Sequence, residues 1–487
     1  MWIAKFLSRY TNKEITKKEV KRKMKQKKSN FVLQPIKEAW ANGDNPTKLS
    51  FFVMGLSNIL RKQIVKGILF LGAELGFLIF MISSGFAYLS EWIPRSDNID
   101  SVDKIKLLGA KGTTEFINNI ETTVPGGNSM IILLRGVAIL FLIGLFFIVW
   151  RASIKSAYKV QELQEKGKTI PNIFDDIKDL FDSQLHKTLM FLPILGITIF
   201  NLIPLVFMIF IAFTNYDSSH QPPGTQFGWV GLKNFFSLLN PSSNFGSTFF
   251  HILLWTFIWA IFATFLNYIF GMILAILINR KGTKYKKFWR TMFVISIAVP
   301  QFVSLLLIRI MLSEYGPVNS MLNDIFGVTA PFWTNATWAR VTIIIVNLWV
   351  GMPYTMLATT GILQNIPSDL YESAKVDGAN AATIFWKITL PYMLFVTTPK
   401  LITDFVGNLN NFNVIYFLTA GEPLSSDYFQ AAGKTDLLVT WLYKLTVDKA
   451  DYSYAAVIGI AVFVISATLS LIVYRNTGSY KNEEGFQ

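Results

Sequence analysis

The sequence predicts an all-α polytopic membrane protein with eight transmembrane helices, on three observations. Hydrophobic residues make up 52% of the chain and charged residues 16%, against roughly 25% charged in a soluble domain. The apolar residues are gathered into runs of about 20, the length that crosses the hydrocarbon of a bilayer. Charge is distributed unevenly between the connections, as the positive-inside rule requires.

Eight such runs lie at 67–90, 130–150, 188–213, 250–278, 291–312, 341–363, 391–419 and 454–474. With the N-terminus inside, segments 1–62, 151–187, 279–290, 364–390 and the C-terminal tail hold 32 Lys/Arg, and the outer segments hold nine. Both termini are therefore expected in the cytoplasm, with the chain crossing a cell membrane several times. The cluster Arg280, Lys281, Lys284, Lys286, Lys287 and Arg290 reads as a topology anchor.

The elements then follow in order. A basic cytoplasmic tail, 1–66, carries most of the +14 net charge: residues 1–62 hold fifteen Lys/Arg against four Asp/Glu. Such an excess at one end suits an anionic lipid surface, and with no nucleic-acid module beside it no nucleic-acid partner is expected. Two extra N-terminal spans occupy 67–150, with an outer loop at 91–129 ending in Pro125-Gly126-Gly127 that reads as a small cap. A cytoplasmic linker covers 151–187, a six-helix core 188–475 with a cytoplasmic loop at 364–390, and a tail 476–487.

Much chemistry is excluded. With no cysteine there is no disulfide, thiolate catalysis or Cys-based metal site. His186, His220 and His251 lack metal-ligand spacing. The nearest string to a phosphate cradle, Gly109-Ala-Lys-Gly112-Thr113, has the wrong spacing and lies on the outer side. No catalytic residue, metal or cofactor is expected in this chain, so the simplest reading is a conduit driven by a gradient or a partner.

Two polar faces interrupt the hydrocarbon. In the sixth run Asn347, Gly351 and Tyr354 stand at i, i+4 and i+7 on one helix face, and Pro353 frees a carbonyl one turn back. In the seventh, Asp404, Asn408 and Asn411 repeat the pattern beside Gly407, with Lys400 four residues before Asp404. Unpaired amides and carboxylates in hydrocarbon cost several kcal/mol each, so these faces should meet each other or a wet cavity. Neutral hydroxyl-rich solutes match their chemistry; interhelical hydrogen bonding, and a self-neutralising Lys400–Asp404 pair, are the structural alternatives. Glu74 and Arg309 read as members of structural pairs, and Lys66 and Arg135 as snorkelling residues.

The cytoplasmic loop contains Tyr371-Glu372-Ser373-Ala374-Lys375-Val376-Asp377-Gly378, then nine residues, then Ile388-Thr389-Leu390-Pro391. This resembles the signature of ABC importer permeases, departing only at Ser373. Pro367-Ser368-Asp369 predicts the start of a short helix and Gly378 its left-handed end. The strings NLWVGMPY, IPSDLYESAKVDGA, KITLP, NLNNF and GKTDLLVTWLYKL further resemble the larger, MalF-type permease subunit of maltose/maltodextrin importers, over about residues 188–475.

That resemblance implies a type I importer core and a coupling helix, with Glu372, Ser373, Ala374, Asp377, Gly378, Ile388, Leu390 and Pro391, docked in a separate ATPase. It implies solute contacts at Asn347, Val350, Gly351, Tyr354, Asn408 and Asn411. Asp404 and Gly407 stand where enteric members place a small hydroxyl residue and Phe, which implies a roomier, more polar cavity. The outer segment 214–249 is short where enteric members insert a folded domain. The implied partners are a second, MalG-like permease, two MalK-like ATPases that bind ATP and Mg, and an extracellular, lipid-anchored sugar-binding protein. The rival reading from another class is a proton-coupled secondary sugar carrier using Asp404, Glu74 or Arg309; a membrane scaffold ranks third.

Overall fold

A computed structural model describes residues 34–93, 99–100, 104–110, 113–117, 120–124, 126–280 and 282–476. Most lysines of the basic tail, Lys281, Pro125, and residues 477–487 lie outside the described residues. Two compact units divide the chain, Met1–Phe207 and Met208–Gln487.

Among the described residues six helices are long and apolar enough to cross a membrane: Ile64–Ser90, Ser129–Glu165, Leu185–Ile211, Asn244–Asn279, Ala336–Gln364 and Tyr452–Arg475. The fifth expected run is instead a helix pair, Lys286–Ala298 and Gln301–Met311, bent by 88°. Val299, extended at φ −81° and ψ 129°, precedes Pro300, whose ring disfavours a helical conformation in the residue before it. The seventh begins as Leu390–Leu409, roughly 30 Å long, breaks at Asn410 and resumes as Phe412–Leu418. Its charges and asparagines keep it out of the apolar set, although its length suffices to span.

In the first unit the helix Ser129–Glu165 runs roughly 55 Å, far more than the hydrocarbon thickness. Its excess length carries a folded cap made from the described part of the expected tail. Gln161 accepts from Asp44 N at 3.0 Å and donates to Asn42 O at 3.2 Å, and Trp150 Nε1 donates to Phe51 O at 2.9 Å. Arg61 is buried, bonded to Asp44 at 2.5 Å and to the Ser57 hydroxyl. The buried Glu74 receives Met54 N–H at 2.7 Å, so its partner is a backbone amide of this cap. Lys66 pairs with Asp176 at 3.0 Å, and Arg135 lies 4.8 Å over the Tyr88 ring. In the outer loop the strands Thr113–Ile117 and Ile120–Val124 form an antiparallel hairpin, the one sheet among the described residues.

In the second unit the long helix Asn244–Asn279 is the spine. Trp255, Trp259, Ala263, Leu305, Ile343, Val346, Val414 and Ile415 form its main buried cluster. A polar knot closes the unit: the fully buried Asp436 receives Lys444 Nζ at 2.7 Å, Thr440 Oγ1 at 2.9 Å and Gly433 N at 2.7 Å. Arg340 donates to Lys434 O at 2.8 Å and covers the Trp255 ring, tying the knot to Ala336–Gln364.

Candidate functional site

Ala336–Gln364 is one continuous helix with Pro353 inside it, started by Asn335, whose side chain accepts from Thr337 N and Trp338 N. Asn347 is buried, and its Nδ2 has no hydrogen-bond partner among the described residues. Gly351, one turn on, does not open onto a void: a Cβ there would lie 2.2 Å from Nδ2 of Asn267 on Asn244–Asn279. Asn267 Oδ1 is buried and unpartnered as well. The gap left by Gly351 thus admits an amide from the neighbouring helix, and an orphan acceptor and an orphan donor stand on this seam. Val350 packs against the main buried cluster. Tyr354 is 53% exposed.

The face on Leu390–Leu409 is built differently. Asn408 Nδ2 donates to Thr264 Oγ1 at 3.0 Å, and its backbone carbonyl accepts Trp259 Nε1 at 3.1 Å. Asn411 caps Phe412–Leu418 by accepting from Val414 N at 3.2 Å, and donates to Asn408 Oδ1 at 3.3 Å. Tyr268, one turn beyond Thr264, shares a hydroxyl hydrogen bond of 2.8 Å with Thr397, nearer the start of Leu390–Leu409. Asn408 thus makes an interhelical bond, the structural alternative named above, while Asn411 bonds only locally, to Asn408 and as a cap. Lys400 and Asp404 are bonded to each other, as the pairing reading expects. Beside them Gly407 is exposed, with nothing within 4 Å of where its Cβ would stand.

Asn244–Asn279 thus meets both faces, and sequence reasoning passed over it. Thr264, Asn267, Tyr268 and Gly271 stand at i, i+3, i+4 and i+7 on that helix, the same polar-stripe signal that singled out the sixth and seventh runs. It was hidden by the strong apolarity of the surrounding 36 residues.

In the loop expected on the cytoplasmic side a helix spans Ser368–Val376. Ala379 N donates to Ala374 O at 2.9 Å and Gly378 N to Lys375 O at 3.0 Å, with Gly378 at φ +77°, so the helix ends in a Schellman motif. Glu372, Ser373, Asp377 and Gly378 are exposed, Ala374 is half-buried, and Val376 is 88% exposed. Tyr371 OH lies 3.3 Å from Thr389 Oγ1, which ties this helix to the turn carrying Ile388, Leu390 and Pro391. The result is a short stiff knob with an apolar tip.

His220 pairs with Asp217 at 2.8 Å and His251 Nδ1 lies 2.7 Å from Ser247 O. Among the described residues no group of three His, Cys, Asp or Glu could hold a metal.

Residues 267–477 match the family model described as binding-protein-dependent transport system inner membrane component. The galactooligosaccharides transport system permease protein GanP of Bacillus subtilis is 33% identical over 88% of this chain and 97% of its own length. The maltodextrin transport system permease protein MalC of Streptococcus pneumoniae is 31% identical over 89% of this chain and 95% of its own. The maltose/maltodextrin permease MalF of Klebsiella aerogenes is 34% identical, but over 51% of this chain and 49% of its own. Identity at this level along nearly the whole of two relatives settles the family. The chain belongs to the inner membrane components of binding-protein-dependent transport systems, the multi-pass permease subunits of ABC importers, and is a transport component rather than an enzyme.

Proposed function

We propose that this chain is the larger of two permease subunits in an importer of maltodextrin-type oligosaccharides, with both termini in the cytoplasm. The observation that carries the reading is the capped helix Ser368–Val376. It bears the permease signature on a knob whose tip, Val376, is left uncovered by the described residues. A rigid body of this kind transmits force, and a partner ATPase cleft is the natural receiver. ATP and Mg then belong to two MalK-like ATPase subunits, a MalG-like permease completes the pathway, and an extracellular, lipid-anchored binding protein delivers the sugar.

The solute path runs along Asn347, Val350, Gly351 and Tyr354 on one side and Asp404, Gly407, Asn408 and Asn411 on the other. In the arrangement described here, Asn408 and Asn411 are bonded within the chain. Loading a sugar therefore exchanges these bonds for bonds to hydroxyls, a near-neutral swap that suits alternating access at the membrane midplane. The exposed Tyr354 ring offers a stacking face for a pyranose. Similarity to GanP favours a second reading, galactooligosaccharides, which use the same donor and acceptor chemistry.

The test is affinity purification of the tagged chain from its native membrane. An ATP-hydrolysing subunit and a second permease co-purify with wild type, and Glu372→Lys stays in the membrane while losing the ATPase. Proton-driven sugar uptake by the chain alone in proteoliposomes contradicts the proposal.

A further inference from the structure

The linker between the second and third spans holds a helix, Ile173–Phe181, whose residues divide cleanly by angle. At 100° per residue, Ile173, Phe174, Ile177, Leu180 and Phe181 fall within one arc of about 120°, while Asp175, Asp176, Lys178 and Asp179 fill the opposite side. The apolar arc is uncovered: Phe174 is 75% exposed and Phe181 68%. A solvated nine-residue helix with two phenylalanines on its surface would be marginal in water. Yet it is deliberately started, by a capping box in which Asn172 N donates to Asp175 at 2.9 Å.

Two independent contacts set the height of this helix. Asp176 pairs at 3.0 Å with Lys66, in the first turn of the spanning helix Ile64–Ser90. At the other end Thr188 Oγ1 donates to Leu180 O at 2.8 Å, and Thr188 lies in the first turn of Leu185–Ile211, also of spanning length. The helix is thus held at both ends to residues at the cytoplasmic margins of two spans. At the starts of the same two spans Ile64 and Val65, and Leu189 and Met190, are exposed as well.

We propose that Ile173–Phe181 lies in the plane of the inner leaflet, its apolar arc sunk at the boundary between headgroups and acyl chains. The occupant of that arc is the bilayer itself. This goes beyond the permease reading and requires only that the two flanking helices span. The polar arc carries three carboxylates and one lysine, so attraction to anionic headgroups does not drive the seating. It is driven by apolar burial and by the two tethers, and the helix works as a float that fixes how deep the ends of the first and third spans sit.

The absence of cysteine from the chain makes the test direct. Phe174→Cys, Ile177→Cys, Asp175→Cys and Asp179→Cys each introduce one attachment point for a nitroxide, and the wild-type chain gives the background. The full chain is reconstituted in nanodiscs of phosphatidylethanolamine with or without phosphatidylglycerol, and collisions with oxygen and with a water-soluble nickel chelate are compared. The oxygen-to-nickel ratio is expected to be several-fold higher at 174 and 177 than at 175 and 179, and the same in both lipid mixtures. Nickel-dominated collisions at all four positions overturn the proposal in favour of a solvated linker. Low collision rates with both reagents at 174 and 177 overturn it in favour of a covering protein subunit.

Discussion

At the scale of single residues, a titrating group stands at the N-terminal end of the last span, beyond its apolar run. Asp451 lies just before Tyr452–Asn476, and burial pushes its carboxyl from the ordinary 3.8 up to about 6, with Asp217 adding repulsion. Bonds from Tyr454 N and from the Gln430 and Ser453 side chains oppose the shift without cancelling it. A folded pKa above the unfolded one means stability that is full below about pH 4 and falls as pH rises through about 6. Over roughly two units the loss is about 3 kcal/mol. Asp451→Asn should therefore melt higher than wild type at pH 7 and equal to it near pH 4. The amide of Gln430, whose Oε1 is buried without a partner, can turn over to meet the new donor. Equal melting curves at pH 7 would contradict the assignment. Within the seventh span, Lys400→Leu should impair folding and transport more than Lys400→Leu with Asp404→Asn, because the single change strands a carboxylate. If Asp404→Asn alone abolishes uptake in an assembled complex, the pair reading gives way to a solute contact.

At the scale of elements, what was legible in the sequence depended on how locally each feature is encoded. Hydropathy located the spans because burial in lipid needs about 20 apolar residues in a row. It could not show the 88° bend, since a window average over 291–312 reports composition and not direction. Pro300 was the visible signal. The cap on Ser129–Glu165 reads as a tail because Ser57, Asn58 and Arg61 are polar in type, and their burial comes from bonds within the cap together with contacts to a helix about 100 residues away. The Ser368–Val376 helix was fully legible, since its start and its Gly378 stop are local. Asn347 and Gly351 were correctly placed on one face, but Asn267, which fills the gap, becomes visible only when two helices are packed. That seam predicts unequal glycines. At Gly271 a Cβ would lie 2.6 Å from Thr355 Cβ, a rigid β-branched neighbour, so Gly271→Ala should cost about 1–3 kcal/mol. At Gly351 the obstacle is the end of a flexible amide, and Gly351→Ala should cost less while still lowering uptake. Gly72→Ala, with open space around it, is the neutral control. Thermal melting of the three variants in one detergent checks the order.

At the scale of the whole molecule, the chain combines a spine helix that touches both polar faces, a stiff knob at Ser368–Val376, and a knot tied through Asp436 and Arg340. The knob is joined through Tyr371 and Thr389 to the start of the helix that carries Lys400, Asp404 and Asn408. Movement imposed on the knob therefore reaches those side chains along about 30 Å of one helix. The most direct test of this account is ATP hydrolysis by the complete complex in nanodiscs with its binding protein, titrated with a ladder of α-1,4-linked glucose oligomers and with galactooligosaccharides. Maltodextrins should stimulate hydrolysis several-fold in wild type and less in Tyr354→Ala, with no stimulation in Glu372→Lys. Stimulation by galactooligosaccharides alone, or sugar uptake that proceeds without ATP, would contradict it.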